Sequence, residues 1–521
     1  MRYFPGIFND VIGPVMRGPS SSHTAASWRI ATLSMAILGE DLKSAIIDFD
    51  RDGAWAPNYR EQGTVMGMNG GLLQLDITDD RMKNTDSLLK KNGVDVRYEV
   101  NSFETNHANT VRLKLEGVHN TKVQIIAAST GGGNFEIQQI NQLKVCIKGD
   151  RYERLWLIKN PNESVLQDIN ETIPDDYECI IASDNDELLV NIKSQQEIPK
   201  FVIEKLKTQL DIASAIVLKP ILPIQRLDKP VMPFSDMQSL KAYSISNKKT
   251  LGELGILYEK TLSGISTSGL IDKMNSIINR IDQSIKKGLQ GTSYSDRILH
   301  QQSHLIDQAA KAGKIPDQRI INQIIAYVSA IMEAKSAMEV IVANPTAGSS
   351  GTVGGALKAV AEDLNSSKDE LVHAYYAAGI TGVFFAERIG FSAEEHACQV
   401  ECGAASGMAA AGIVQLFGGT AVQAIDAASM AIQNMIGLIC DPVADRVEVP
   451  CLGKNISAAV NALASATMSC AGFNSVIPYD QVLDTIEKVS QQMPACVKCT
   501  GKGGLAITPS AIEIKKNLKE N

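Results

Sequence analysis

Two stretches in the C-terminal half constrain the fold more than any other part of the chain: GAASGMAAAGIVQ at 403–415 and ISAAVNALASATMSCAG at 456–472. Each is of helical length, contains no proline and consists mostly of Ala, Gly and Ser. Small side chains let helix axes approach closely, so such segments belong inside a packed helical body. The apolar run at 408–440 is interrupted by Gln415, Gln423, Asp426, Gln433 and Asn434, which fits a buried helix pair and not a membrane span. Helix-period spacing continues through most of 235–521, and an all-helical domain is expected there.

The preceding residues follow other periods. Residues 1–148 alternate strand-like runs (AIIDFD, VRLKL, KVQIIAA) with a helix after His23 and another around 80–92, an α/β pattern. Residues 149–222 carry the order ERLWLIK, SVLQDINETI, ECIIAS, ELLVNIK, IPKFVIEKLKTQL, AIVLKP, a strand–helix–strand–strand–helix–strand rhythm that reads as ferredoxin-like. The Pro-rich passage KPILPIQRLDKPVMP at 219–233 marks a linker, set at 223–234. The fold class is therefore α+β, with an α/β part, a ferredoxin-like middle and a helical remainder. A length of 521 residues also suits about three domains.

Apolar residues at 44% and charged residues at 21% describe an ordinary globular protein. A formal net charge of -8 offers nothing to nucleic acid or to an anionic membrane. MRYFPGIFNDVIGPVM has neither a long apolar core nor a small-residue cleavage site, so a cytoplasmic protein is expected. Nine cysteines, an odd number with seven in the last quarter, argue against a disulfide framework and favour a metal site or burial.

Four motifs stand out. GPSSSHT at 18–24 opens a helix; its hydroxyls are N-cap types, while a helix start lined by Ser20, Ser21, Ser22 and Thr24 is also a carboxylate site. NPTAGSSGTVGG at 344–355 precedes a helix expected from near Ala356, and is either an interhelical turn or a loop whose glycines admit a ligand. STGGGN at 129–134 has the same two readings and matches no nucleotide fingerprint. CQVECGAASGMAAAG at 398–412 and CDPVADRVEVPC at 440–451 contain Cys398, Cys440 and Cys451, two of them beside helix-breaking prolines. Three thiolates from separate turns suit a cubane iron–sulfur cluster with one iron lacking a cysteine; the alternative is simple burial, the reading taken for Cys146, Cys179 and Cys470. The CVKC pair at 496–499 lacks a second CxxC and reads as incidental or supporting thiols.

Taken together, GPSSSHT, NPTAGSSG, the CQ-x-E-x-G-x-AS-x-MAAA stretch, CDPV…VPC and GGLAITP at 503–509 make the chain resemble the iron–sulfur L-serine dehydratases over nearly its whole length. The steps of 42 residues from Cys398 to Cys440 and 11 to Cys451 agree with that family's cluster cysteines. The resemblance implies a β-type portion at 1–148, an ACT-like domain at 149–222 and an α-type portion at 235–521 in one chain. It further implies a lyase of amino-acid degradation, a [4Fe–4S] cofactor held by Cys398, Cys440 and Cys451, a small amino-acid substrate and a homodimer.

The implied chemistry has iron polarising the β-hydroxyl, a base removing the α-proton, and an enamine hydrolysing to pyruvate and ammonia. Ser20, Ser21, Ser22 and Thr24 would hold the carboxylate, with Thr346, Gly348 and Ser349 across the pocket, between the first and last parts of the chain. Where the family carries a histidine, this chain has Gln62, which cannot exchange a proton near neutrality. His107 is therefore placed first as base and His23 second. ERIGFSAEEHA at 387–397 departs from the family, as does NPNES at 160–164, which lacks the loop glycine of an effector-binding ACT domain; a structural role is expected there. Another β-hydroxy or β-substituted amino acid, or a non-catalytic amino-acid sensor, stays open as an alternative. A pyridoxal-phosphate enzyme lacks its lysine motif.

Overall fold

Alternation of apolar and polar residues builds the first sheet. In strand Thr110–Gly117, Val111, Leu113 and Leu115 point inward while Arg112, Lys114 and Glu116 do not, as a period of two requires. In the computed structural model, which describes residues 3–520 except 160, 162–164, 166–168, 170–172, 174–176, 185–186, 210–211 and 228, this strand lies within a six-stranded sheet. The order is Asp95–Asn101, Leu42–Asp50, Thr110–Gly117, Lys122–Gly131, Asn134–Ile140, Leu143–Ile147, antiparallel except for the first pair. Helices Ala26–Leu38 and Thr64–Leu72 cover one face, with Ile30, Leu33 and Met68 in one core with Ile47, Leu113 and Ile125. STGGGN is the tight turn between two of these strands.

A second sheet is four-stranded and antiparallel, in the order Ile212–Leu218, Tyr152–Lys159, Glu187–Ser194, Glu178–Asp184. Numbered along the chain this is 4-1-3-2, the arrangement the strand rhythm led us to expect. Helix Lys200–Gln209 fills the second helical place. The helix expected over SVLQDINETI and the NPNES stretch fall largely outside the described residues.

The C-terminal region is helical, and its centre follows from composition. In helix Cys402–Leu416 every residue from Cys402 to Val414 is buried, because small side chains allow neighbours on all sides. Helices Lys368–Arg388, Ala421–Gln433, Cys451–Cys470 and Ser350–Asp363 surround it. No helix among the described residues is long and apolar enough to cross a membrane.

Four expectations need correction. The C-terminal region is not wholly helical: Val340–Val342 is a strand, paired antiparallel with Val15–Arg17. Three β-branched residues in an apolar run satisfy their backbone groups on the partner, a long-range choice no local pattern announces. Ile7, Phe8, Val11 and Ile12 belong to the core of the helical region and not to that of the first sheet, with Ile7 N–H donating to Glu259 at 2.7 Å. The proline-rich passage is packed, since Ile224 and Phe234 are buried in that same core. Finally, the helix after NPTAGSSG begins at Ser350, not near Ala356. Gly355 thus lies inside it, where a Cβ would stand 2.8 Å from the Val328 backbone nitrogen; the glycine serves helix contact and not a ligand.

Candidate active site

The GPSSSHT turn lies between the first sheet and the helical body. Ser20 is extended, and Ser21–Ala25 forms one wide turn leading into Ala26–Leu38. The Ser20 side chain makes no capping bond. Its Oγ lies 3.1 Å from His23 Nδ1, and Ser22 Oγ lies 3.2 Å from the same nitrogen. His23 Nε2 is 3.0 Å from Asn58 Oδ1, an acceptor, so Nε2 carries the proton and Nδ1 accepts from Ser20 Oγ, the one hydroxyl proton of Ser22 being given to Glu394 Oε1. Burial lowers the pKa of His23 despite the opposing pull of Glu394, which keeps the ring neutral.

The 344–349 loop supplies a second wall. Ala347 N–H donates to Ser21 Oγ at 3.1 Å, stitching the two loops together. Thr346 Oγ1 donates to Glu401 Oε1 at 2.7 Å and meets Ser349 Oγ at 3.1 Å. Gly348 lies close to this acid: a Cβ there would stand 2.8 Å from Glu401 Oε1, so a larger residue would push the carboxyl aside. Burial pushes the Glu401 carboxyl up to about 7, against the lowering effect of the Thr346 hydrogen bond.

The third wall is sulfur. Cys398 stands in a short turn before the central helix, Cys440 in the loop after Ala421–Gln433, and Cys451 at the first position of its helix, after Pro450. Donor atoms of Cys398, Glu401 and Cys440 all lie within 4.8 Å of one another, a geometry able to hold a metal. Cys451 lines the cavity with Glu401 and Cys440 but stands outside that trio, while Cys398 belongs to the trio and lies behind the lining. Cys440 bridges to the 497–499 segment through Cys440 N–H to Val497 O at 2.8 Å and Cys499 N–H to Cys440 O at 3.1 Å. Cys499 is consequently buried beside Cys440, its thiol hydrogen-bonded to that of Cys440, while Cys496 is exposed. Of the CVKC pair, Cys499 thus belongs to the cavity wall. Hydrogen bonding to neighbouring thiols, together with burial, raises the Cys440 pKa, and burial pushes Cys451 up to about 12.

Two lysines serve this wall. Lys454 donates to Ile439 O and Asp441 Oδ1, both at 2.7 Å, and Asp441 in turn accepts Leu505 N–H at 2.9 Å, which draws GGLAITP to the cysteine loop. Lys335 is fully buried and donates to Val447 O; burial lowers its pKa, countered by Cys451, Glu448 and Glu401. Asn455 binds Gly348 O at 2.8 Å and Cys451 O at 2.9 Å, fixing the second wall to the third.

One cavity is lined by Ser20, Ser21, Ser22, Thr346, Gly348, Cys440 and Cys451, together with Gln62, Glu394, Glu401 and Cys499. Thr24 faces away, its hydroxyl donating to Gln62 O at 3.3 Å, and Ser349 stands behind Thr346. Gln62 donates to Asp445 O at 3.3 Å. Neither histidine is part of the lining: His23 is fully buried behind Ser20, and His107 stands apart. Its Nδ1 accepts Asn109 N–H at 3.0 Å, and Nε2 lies 3.6 Å from Glu395. Sequence reasoning passed over Glu394, Glu401, Lys335 and Lys454, and it left Cys499 as an incidental or supporting thiol. Glu401 was within reach, since it is the acid of CQ-x-E, one turn beyond a cysteine. Glu394 lay in the stretch set aside as divergent.

Residues 193–506 match the serine dehydratase alpha chain family. A probable L-serine dehydratase alpha chain of Bacillus subtilis (strain 168) is 34% identical over 285 residues, which is 55% of this chain and 95% of that protein. The corresponding Latilactobacillus sakei protein is 38% identical over 199 residues, 38% of this chain and 95% of its own length. L-serine dehydratase 1 of Escherichia coli (strain K12) is 33% identical over 190 residues, 36% of this chain and 42% of that protein.

Proposed function

We propose that this chain, which belongs to the serine dehydratase alpha chain family, is a lyase that deaminates L-serine to pyruvate and ammonia with a [4Fe–4S] cluster. The observation that carries the reading is the single cavity in which the serine turn of one part of the chain faces the thiols of another. The donor set fits the cluster: soft buried thiols collected from separate turns, with two lysines at hand to offset thiolate charge. Cys398, Cys440 and Cys451 would hold it. When bound, the cluster supplies Lewis acidity that makes the β-hydroxyl a competent leaving group.

The chain's own residues do the rest. Ser20, Ser21 and Ser22 present hydroxyls and turn N–H groups to the substrate carboxylate. Thr346 and Gly348 shape the opposite wall, Ser349 steadies Thr346, and Thr24 fixes the turn against Gln62. His23, held neutral with Nδ1 toward Ser20, accepts the α-proton by way of the Ser20 hydroxyl, which gives its own proton to Nδ1 as it takes up the substrate's. His23 takes precedence over His107 because its Nδ1 meets Ser20 of the cavity lining, whereas the Nδ1 of His107 accepts Asn109 N–H. We further assign 1–148 as a β-type domain and 235–521 as the α-type domain. The 149–222 unit is read as an ACT-like domain of structural role, supported by its strand order.

Anaerobic purification followed by visible spectroscopy and an ammonia-release screen over serine, threonine and analogues tests the reading. Broad absorbance near ~400 nm with release from L-serine is expected. A colourless active protein would overturn the cluster, and release from another amino acid alone would overturn the substrate.

A further inference from the structure

The two sides of the cavity are charged differently. On the sulfur side, Lys335 and Lys454 stand close enough to act on Cys451 and Cys398. On the serine side lies Glu394, whose side chain is only 4% exposed. Oε1 accepts from Ser22 Oγ and Oε2 from Ser392 Oγ, both at 3.1 Å. Among the described residues no lysine or arginine pairs with it; its nearest cationic candidate is His23 Nδ1 at 4.0 Å. That nitrogen points a lone pair toward Ser20 Oγ, since Nε2 is committed to Asn58. A carboxylate taken out of water without a cation is costly, and a ligand carrying positive charge relieves that cost.

We propose that Glu394 is the residue that recognises the substrate's α-ammonium group. The inference rests on the reading of the cavity as an amino-acid site and assigns it a specificity determinant. In an α-amino acid the carboxylate and ammonium are attached to the same carbon, so their binding groups must be neighbours. Ser22, in the proposed carboxylate cradle, hydrogen-bonds directly to Glu394. Glu401 is the other carboxyl of the cavity, but it is held by Thr346 and lies 3.8 Å from Cys398 Sγ, on the sulfur side. The geometry separates the two acids: one faces the sulfur donors, the other the amine.

The test uses the full chain purified anaerobically and two unreactive ligands that differ only in the amino group, L-alanine and propionate, titrated by calorimetry. Wild type should bind L-alanine at least ~10-fold more tightly than propionate, and Glu394→Gln should bring the two within about twofold. Glu394→Asp should recover part of the preference. In turnover, Glu394→Gln should raise KM at least ~10-fold while kcat moves less than about threefold. Equal binding of both ligands by wild type, or a preference that survives in the Gln variant, would overturn the assignment. So would a collapse of kcat at unchanged KM, which would make Glu394 a proton-transfer group. Should wild type fail to deaminate L-serine yet show the Glu394-dependent preference, the serine reading falls and the ammonium site stands.

Discussion

The serine face and the sulfur face of the cavity are built in opposite ways. Ser20, Ser21 and Ser22 are consecutive, and one turn presents them all. The sulfur face is gathered from the segments around 398–401, 440, 451 and 499, which meet only because Asn455, Asp441 and Lys454 tie their loops together. Charge follows the same division. Cations accompany the thiols, whereas the serine side holds a buried carboxylate that pairs with no lysine or arginine among the described residues. A cavity polarised in this way has a soft, thiol-lined end backed by cations, suited to a metal cluster, and a hydroxyl-rich end suited to a zwitterion.

The largest effect should come from the sulfur face. Cys440→Ala should abolish cluster absorbance and lower turnover by more than ~10⁴-fold, because a lost ligand removes the Lewis acid and not merely a contact. Full cluster content in that variant would break the division between the faces. On the serine face, His23→Gln should cost about 10²–10⁴-fold in turnover, the usual range for a proton-transfer group, with the visible spectrum intact. A spectrum that changes in step with activity would mean that the faces are not independent.

The pH dependence of stability should have opposite signs on the two faces of the cluster-free chain. Glu401 binds its proton more tightly in the folded state, up to about 7, so it stabilises at acid pH and that stability is lost as pH rises toward 7. His23 is lowered, so its contribution is present above about 6.5 and lost as pH falls below that value. Denaturant melts of Glu401→Gln and His23→Gln between pH 4.5 and 7.5 should therefore shift the profile in opposite directions; parallel shifts would refute the assignment. The smallest effect belongs to His107→Ala, which should stay within about threefold of wild type in turnover, well short of a general base. A ~100-fold loss would restore that histidine to the mechanism.

Contiguity decided what was legible beforehand. The serine turn, the 344–349 loop and the cysteines each sit in a short motif, and the structure gathers Ser20, Ser21, Ser22, Thr346, Gly348, Cys440 and Cys451 around one cavity. The buried helical core was readable from small residues, and the 4-1-3-2 sheet from the rhythm of its strands. What escaped depends on long-range pairing. Val340–Val342 is a strand only because Val15–Arg17 lies beside it, and Cys499 is buried only because Cys440 takes its backbone as a partner. Glu394 and the two lysines carry no local signature at all, since surface acids and bases look the same in sequence until burial reveals which lack water.

The small ribbon formed by Val15–Arg17 and Val340–Val342, with Ile7, Phe8 and Val11 anchored in the helical core, has a consequence for how the polypeptide can be divided. The N-terminal arm crosses the molecule and is held by backbone hydrogen bonds and by apolar packing, so its attachment does not depend on the peptide link through exposed Val231. Opened there, the two pieces would remain plugged into one another like a mortise and tenon, and the cavity between them would stay assembled. Covalent continuity is in this sense a convenience of synthesis. The contacts between the two pieces, a short shared ribbon and a buried apolar anchor, are of the kind that can hold separate chains together.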